Sequence, residues 1–390
     1  MGLGQSIEKQ NDVEARLAKH VIATVADGSK SNLVFSPTSI NVLLTIIAAG
    51  SSSVSREQIL SFLMSPSMDH LNAVLTKIVS VALADGSKGS KLRFSVANGV
   101  WIDKSLSFKP SFKNLLTNSY KASCSQVDFG TKPLEVIDEM NKWGEVHTNG
   151  LIKQILSHDS IESIRESKLI LANAVYFKGA WSKKFDVELT KIRDFHLLDG
   201  TSVKVPYMTN HKDQYLEGYD GFQVLRLPYV EEGQRQFSMC FYLPNDKNGL
   251  SHLLEKVGSE PGFLDKHVPN QRISVEAIRI PKFKFSFEFK ASDVLKDMGL
   301  TSPFSTRGGN LTEMVDSPKD LYVSNILHKA CIEVDEEGTE AAAVSSVEAT
   351  FMCYKRSPDF LADHPFLFTV REDKSRVILF MGQVLDPSKH

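Results

Sequence analysis

Apolar and polar positions follow two different periods along this chain. In the first 25 residues Val13, Leu17 and Val21 fall on one helical stripe with Val25 at its edge, which predicts an amphipathic helix. The stretch from Ile40 to Ala49 is apolar almost all round and predicts a buried helix. Ser55 and Gln58 stand at capping-box spacing and predict the start of the next one. Further helices are expected over Asp69–Ala84, Lys109–Ser119 and Lys132–Gly150, the last closed by Asn149-Gly150. Between them, Arg93–Asp103 changes to strand composition. From Leu169 onward strands dominate. LILANAVYF is a largely apolar run, of the kind a central strand needs when both its faces are covered. Phe222–Tyr229, Phe237–Leu243, the two arms of Arg272–Phe287 around Pro281, Ala330–Val334, Phe366–Val370 and Val377–Gly382 also read as strands, with a short helix at Ala291–Met298.

Helices therefore come first, strands follow, and strands close the chain, with no repeat, low-complexity tract or long linker between them. That order predicts one interlocked α+β domain over residues 1–390. At 42% apolar residues the chain can fill a substantial core. With 45 Lys and Arg against 47 Asp and Glu the formal charge is −2, and no basic cluster offers a nucleic-acid surface. The uncharged stretch Ser31–Ser55 is broken by Pro37, Asn41 and serines, so no membrane span is expected. The start lacks a signal-peptide pattern. Gly2 and Ser6 fit a loose myristoylation pattern, but no basic patch supports it. The expectation is an intracellular monomer, in the cytoplasm with the nucleus left open. Cys124, Cys240, Cys331 and Cys353 are too far apart in sequence for a zinc knuckle or redox pair, and read as four thiols in a reducing compartment.

Catalytic signatures are missing. The chain has no HExxH, no GxSxG and no phosphate-binding GxxxxGK[ST] loop. Its eleven histidines are never closer than 11 positions. No metal and no cofactor are expected. His328 lies among apolar neighbours in ILHKACIEV and is read as a core imidazole rather than a catalytic base.

Asp335–Asp359, DEEGTEAAAVSSVEATFMCYKRSPD, stands apart. Its alanines favour a surface helix. At period 2, however, Thr339, Ala341, Ala343, Ser345, Val347, Ala349 and Phe351 form a face without charge, while Glu340 and Glu348 lie on the other. The segment can be an exposed loop or partial helix, or a strand with a small-residue inner face. Phe351–Tyr354 followed by Lys355, Arg356 and Pro358 can be an accessible peptide for a protease, or a buried strand and a turn.

Several separated stretches resemble the serpin family over nearly the whole chain. They are Phe35-Ser36-Pro37 with Ser39 and Ile40; Asn141, Trp143 and Thr148-Asn149-Gly150; Asn173-Ala174-Val175-Tyr176-Phe177-Lys178-Gly179 with Trp181 and Phe185; His328-Lys329-Ala330; Glu336 to Ala343; Pro365-Phe366; and Phe380-Met381-Gly382. DFLADHPFLF and the VLDP ending resemble plant serpins in particular.

The resemblance implies a large five-stranded central sheet, two smaller sheets, eight or nine helices and an exposed reactive loop, with residues 336–358 as hinge and loop. It also implies a suicide-substrate protease inhibitor rather than an enzyme. A target protease attacks the loop and forms an acyl-enzyme, and residues 339–352 then insert into the sheet as a new strand. Its partner is that protease, held covalently. The resemblance makes Glu336, Glu337, Gly338, Thr339 and Glu340 the start of the hinge, continued by the small residues Ala341, Ala342 and Ala343, with Val344 departing from the usual small residue. Ser36, Ser39, Asn173, Trp181 and His328 are implied to lie where the sheet opens. Family spacing from Gly338 places the reactive bond at Met352–Cys353. Met352 suits chymotrypsin-like or elastase-like pockets, and Phe351 suits papain-like cysteine proteases. Cleavage at Tyr354, Lys355 or Arg356 is the alternative, the two basic positions suiting a trypsin-like enzyme. A non-inhibitory serpin, serving as a storage, binding or plain substrate protein, is the competing reading.

Overall fold

The computed structural model describes residues 2–25, 31–82, 92–211, 213–231, 233–306, 310–316, 321–337 and 357–389. Ten α-helices occur among them, two of which, Ile161–Arg165 and Phe263–Lys266, are only five and four residues long. The strands form three sheets of seven, five and four strands.

The five-stranded sheet runs Phe283–Lys290, Asn325–Val334, Leu169–Gly179, Leu92–Asp103, Ala122–Val127. Leu169–Gly179 lies in the middle, buried throughout except at Lys178, as its largely apolar run predicts. It pairs antiparallel with Leu92–Asp103 and parallel with Asn325–Val334, from Ile170↔Asn325 to Phe177↔Ile332. Asn325–Val334 pairs antiparallel with Phe283–Lys290 on its far side.

Both faces of this sheet are covered. On one, Trp101 meets Trp143 of the Pro133–His147 helix edge to face at 5.0 Å, among Tyr176, Leu327 and Cys331. That helix ends where Asn149 and Gly150 take positive φ (53° and 79°), a conformation glycine adopts without a Cβ penalty. On the other face lie the Leu33–Phe35 strand and the Pro37–Gly50 helix, buried at every position except Ala49. The N-terminal helix, Leu3–Thr24, buries Val13, Leu17 and Val21 as its stripe predicts.

Three local expectations are corrected. Ser55 and Gln58 do not cap their helix. It begins two residues before Ser55, at Ser53, with Ser52 at the N-cap. Gln58 accepts instead from the Thr301 and Ser302 N–H groups (3.1 and 2.7 Å), and Ser55 meets the Ser302 hydroxyl at 2.8 Å. The pair ties one helix to a distant turn. The helix expected over Asp69–Ala84 is α-helical only over Met68–Lys77 and continues as a π turn, Ile78–Ala82. The strand expected at Ala330 begins earlier, at Asn325.

Cys124, Cys240 and Cys331 are free thiols, and Cys353 lies outside the described residues. Burial pushes the Cys240 and Cys331 thiols up to about 11, which keeps them protonated. Among the described residues no helix is long and apolar enough to cross a membrane, and no group of His, Cys, Asp and Glu could hold a metal.

Candidate functional site: the parallel seam and the hinge above it

The parallel strands Leu169–Gly179 and Asn325–Val334 form a seam, and from one end of it the chain runs on to Glu336 and Glu337, the first two positions expected from sequence to form a hinge. In the middle of the seam Asn173 and His328 stand opposite each other. His328 is buried, with Phe35 and Phe289 edge-on to its ring (6.4 and 5.6 Å). Its Nε2 accepts from the Ser36 backbone N–H at 3.0 Å, so the neutral ring carries its proton on Nδ1. That buried Nδ1 has no partner among the described residues. Burial pulls the imidazole down to about 3, as the core reading of this histidine requires and unlike a general base working near neutrality. Ser36 caps the Pro37–Gly50 helix and its hydroxyl donates to Ser39 Oγ at 2.8 Å.

Asn173 turns the other way. Its Nδ2 donates to Ala97 O at 3.1 Å and to Asn98 Oδ1 at 2.7 Å, while its buried Oδ1 is unpartnered among the described residues. The structure thus joins Ser36, Ser39 and His328 directly. Asn173 stands beside them in register but is bonded to the next strand. Asn98 is a member that sequence reasoning missed. Its signal was one amide between Ala97 and Gly99 in the strand-like FSVANGVWID.

Above the seam the chain is tied down residue by residue. Trp181 lies stacked on Tyr229 at 4.4 Å, and its indole N–H donates to the Asp335 carbonyl at 2.8 Å. Lys178 gathers Glu333 and Asp335, both at 2.7 Å, and Glu337 at 3.4 Å. Burial alone would lower the Lys178 pKa, but its bonds to Asp335 and Glu333 outweigh burial and raise it. Burial likewise opposes ionisation of Glu333, yet Lys178 and Lys284 hold its carboxyl down at about 2. Glu336 is buried between Thr190, whose hydroxyl donates to Oε1 at 2.7 Å, and Lys282 at 2.6 Å. These partners also hold its carboxyl below the usual range against the effect of burial.

Of the hinge positions named from sequence, Glu336 and Glu337 are fastened here. Gly338, Thr339, Glu340, Ala341, Ala342, Ala343 and Val344 lie outside the described residues, as do Met352, Cys353, Tyr354, Lys355 and Arg356. The described chain resumes at Ser357. It returns to the body as Phe360–Leu361, paired parallel with Ile278–Arg279 in the four-stranded sheet. The ties of Lys178, Thr190 and Lys282 were also missed by sequence reasoning, because their partners lie far away along the chain.

Three sheets in this arrangement, with the chain leaving the long sheet at a parallel seam and returning through the four-stranded one, are a serpin fold. The chain belongs to the serpin family, whose model, serpin (serine protease inhibitor), matches residues 8–387. It is 72% identical over 393 residues to Serpin-Z10 of Arabidopsis thaliana and 70% identical over 399 residues to Serpin-Z4 of the same plant, with all of each chain covered. The solved structure of Arabidopsis AtSerpin1 in its native stressed conformation superposes with a TM-score of 0.93 at 55% identity, covering all of both chains. The relatives named here are plant serpins, as the DFLADHPFLF and VLDP stretches suggested, and the family supports a protease-inhibitor role.

Proposed function

We propose that the chain acts as one domain and as a single-use protease inhibitor, with residues 336–358 as hinge and bait. The observation that carries this is the parallel seam. A strand continuing from Val334 through a turn at the hinge and running back between Asn325–Val334 and Leu169–Gly179 would be antiparallel to both. One parallel pairing would be exchanged for two antiparallel ones, which are slightly more stable per residue. The new strand would bring its own backbone hydrogen bonds and a small, uncharged inner face. Thr339–Met352 is 14 residues, about 46 Å when extended. That length can carry a tethered protease from one end of the sheet to the other.

In this reading the protease nucleophile attacks the Met352 carbonyl carbon. The Met352–Cys353 bond breaks, and Cys353 leaves as an amine after taking a proton. Met352 remains esterified to a serine protease, or thioesterified to a papain-like cysteine protease. Insertion then outruns hydrolysis and displaces the protease from its working geometry. The chain itself catalyses nothing, and needs no cofactor, nucleic acid or membrane. It works as a monomer inside the cell.

The test is incubation of the protein with papain, chymotrypsin and trypsin, resolved by denaturing gel and intact mass. The expected result is a stable complex at the summed mass less the released peptide Cys353–His390. Loop cleavage by all three without a complex, and without a rise in melting temperature of the cleaved form, would sink the proposal in favour of a non-inhibitory serpin.

A further inference from the structure

A single row of side chains crosses the five-stranded sheet at its middle. Phe289, His328, Asn173 and Asn98 are register partners on successive strands, so all of them stand on one face. Within this row His328 and Asn173 are complementary. The Ser36 N–H occupies Nε2 of the imidazole, which leaves a hydrogen to donate at Nδ1, and Asn173 has an acceptor at Oδ1. Neighbouring strands lie about 4.8 Å apart, within reach of a direct side-chain bond. The two nevertheless do not bond each other. Both atoms are buried, and neither has a partner among the described residues.

Asn98 accounts for this. Nδ2 of Asn173 donates to the strand on its other side, to Ala97 O at 3.1 Å and to Asn98 Oδ1 at 2.7 Å. A carboxamide is planar, so where its two hydrogens point decides where its oxygen points. The Ala97 bond uses backbone and survives any residue at position 98. The shorter bond depends on the Asn98 side chain. Asn98 is buried, and it lines a cavity of about 750 Å³ together with Ser123 and His147. Truncating it therefore enlarges an existing cavity and opens no new one.

We infer that Asn98 is a positioning residue for strand insertion: by drawing the Asn173 amide towards its own strand, it prevents a hydrogen bond from closing across the seam between Asn173 and His328. The inference rests on the insertion proposed above. A side-chain bond over the seam would have to break before the strands part, in addition to the backbone ladder. Its absence lets the seam open faster, and the native sheet bears the cost of two buried polar atoms that do not meet. Asn98 acts only through Asn173 and takes no part in the chemistry at the reactive bond.

The experiment adds a synthetic peptide of residues 339–352 in excess to the intact chain and follows its uptake as an extra strand by the rise in melting temperature with incubation time. Asn98→Ala should take up the peptide about fivefold more slowly than wild type, the effect of one hydrogen bond gained by the closed sheet. Asn98→Asp keeps an acceptor oxygen for Asn173 and should stay within about twofold of wild type. In an Asn173→Ala background, Asn98→Ala should change the rate by less than about twofold, because the amide it would release is gone. Histidine labelled with ¹⁵N gives a second readout that packing alone would not move. The His328 Nδ1–H signal, identified by its loss in His328→Gln, should shift downfield in Asn98→Ala and not in Asn98→Asp. Uptake by Asn98→Ala as fast as wild type overturns the inference, as does a slowing that persists in the Asn173→Ala background. If wild type takes up no peptide, the insertion reading fails, and the histidine signal alone then decides the role of Asn98: a downfield shift supports its hold on Asn173 and an unmoved signal overturns it. Asn98→Leu, the isosteric change, carries the same expectations should Asn98→Ala lack a cooperative melt.

Discussion

The backbone N–H of Ser36 donates to Nε2 of His328 across 292 positions of chain, and this bond fixes the imidazole as a neutral acceptor beneath the seam. Burial holds its pKa at about 3, against about 6.5 in an unfolded chain. Between those values the unfolded chain binds the extra proton, so stability rises with pH there. The histidine's contribution is complete above about pH 6.5 and is lost as pH falls towards 3. His328→Gln should therefore cost about 1–3 kcal/mol at pH 7.5, and the difference from wild type should shrink as the pH is lowered to 5. Urea unfolding of both proteins across that range checks this. A difference that stays constant with pH would mean that the imidazole is not the titrating group.

Lys178 holds three carboxylates, Glu333, Asp335 and Glu337, where the chain leaves the five-stranded sheet. Lys178→Met leaves Glu333 and Asp335 close together without their shared cation, and should destabilise the protein by about 1–3 kcal/mol. The paired change Lys178→Met/Glu333→Gln should restore part of that loss, because one of the stranded charges is gone. Thermal melts of the three proteins at neutral pH decide the matter. No recovery in the double variant would show that Lys178 acts through packing alone.

The Glu333 carboxylate gives the same cluster an acid limit. Its folded pKa of about 2 lies below the ordinary value, so its stabilisation is present above about pH 4.5 and is lost as pH falls towards 2. Glu333→Gln should lower the melting temperature at pH 7 and make little difference near pH 2.5. An unchanged melting temperature at pH 7 would contradict the ionic role given to this residue.

Gly179 ends the central strand under a ring. A Cβ there would come 2.5 Å from Tyr229, on which Trp181 is stacked. Gly179→Ala should push the stack and cost about 1–3 kcal/mol. Tryptophan fluorescence should register the movement of Trp181, whose N–H holds the Asp335 carbonyl. Unchanged emission together with unchanged stability would show that the stack has room to spare.

On the proposed inserting face a single charge should separate cleavage from trapping. Ala343→Asp places a carboxylate where a strand would be buried, without touching Met352 or Cys353. The expected outcome is an unchanged rate of loop cleavage with complex yield reduced at least about tenfold, read from the same denaturing gels. Undiminished complex yield would mean that Ala343 does not enter the sheet.

Much of this arrangement was legible in the residues, and the omissions have a pattern. Leu169–Gly179 declared its place because a strand covered on both faces needs a largely apolar run, here interrupted before Lys178 only by Asn173. The N-terminal helix declared its stripe for a similar reason. The strands Lys191–His196, Ser202–Asn210 and Gln214–Tyr219 were not read, because exposed charges and polar residues interrupt them. Ala122–Val127 is an edge strand, mostly half-exposed, and carries too little pattern to announce itself. At the site, Ser36, Ser39, Asn173, Trp181 and His328 were found through family resemblance, but their bonding was not. Nothing in the sequence says that Asn173 bonds Asn98 rather than His328. Nor does a lysine at position 282 reveal that it answers a glutamate at 336, since only the folded sheet brings them together.

The fastenings at the hinge carry a consequence for how this protein can change. Glu333, Asp335, Glu336 and Glu337 find their partners in Lys178, Thr190, Lys282 and Lys284, and the Phe360–Leu361 strand finds its partner in Ile278–Arg279. All of these bonds are made by residues on either side of 338–356. The segment that would choose a protease is thus mounted between two joints that do not depend on its spelling. Inheritance can rewrite the bait while leaving the joints and the core untouched, so sister copies of one stable body can face different enemies.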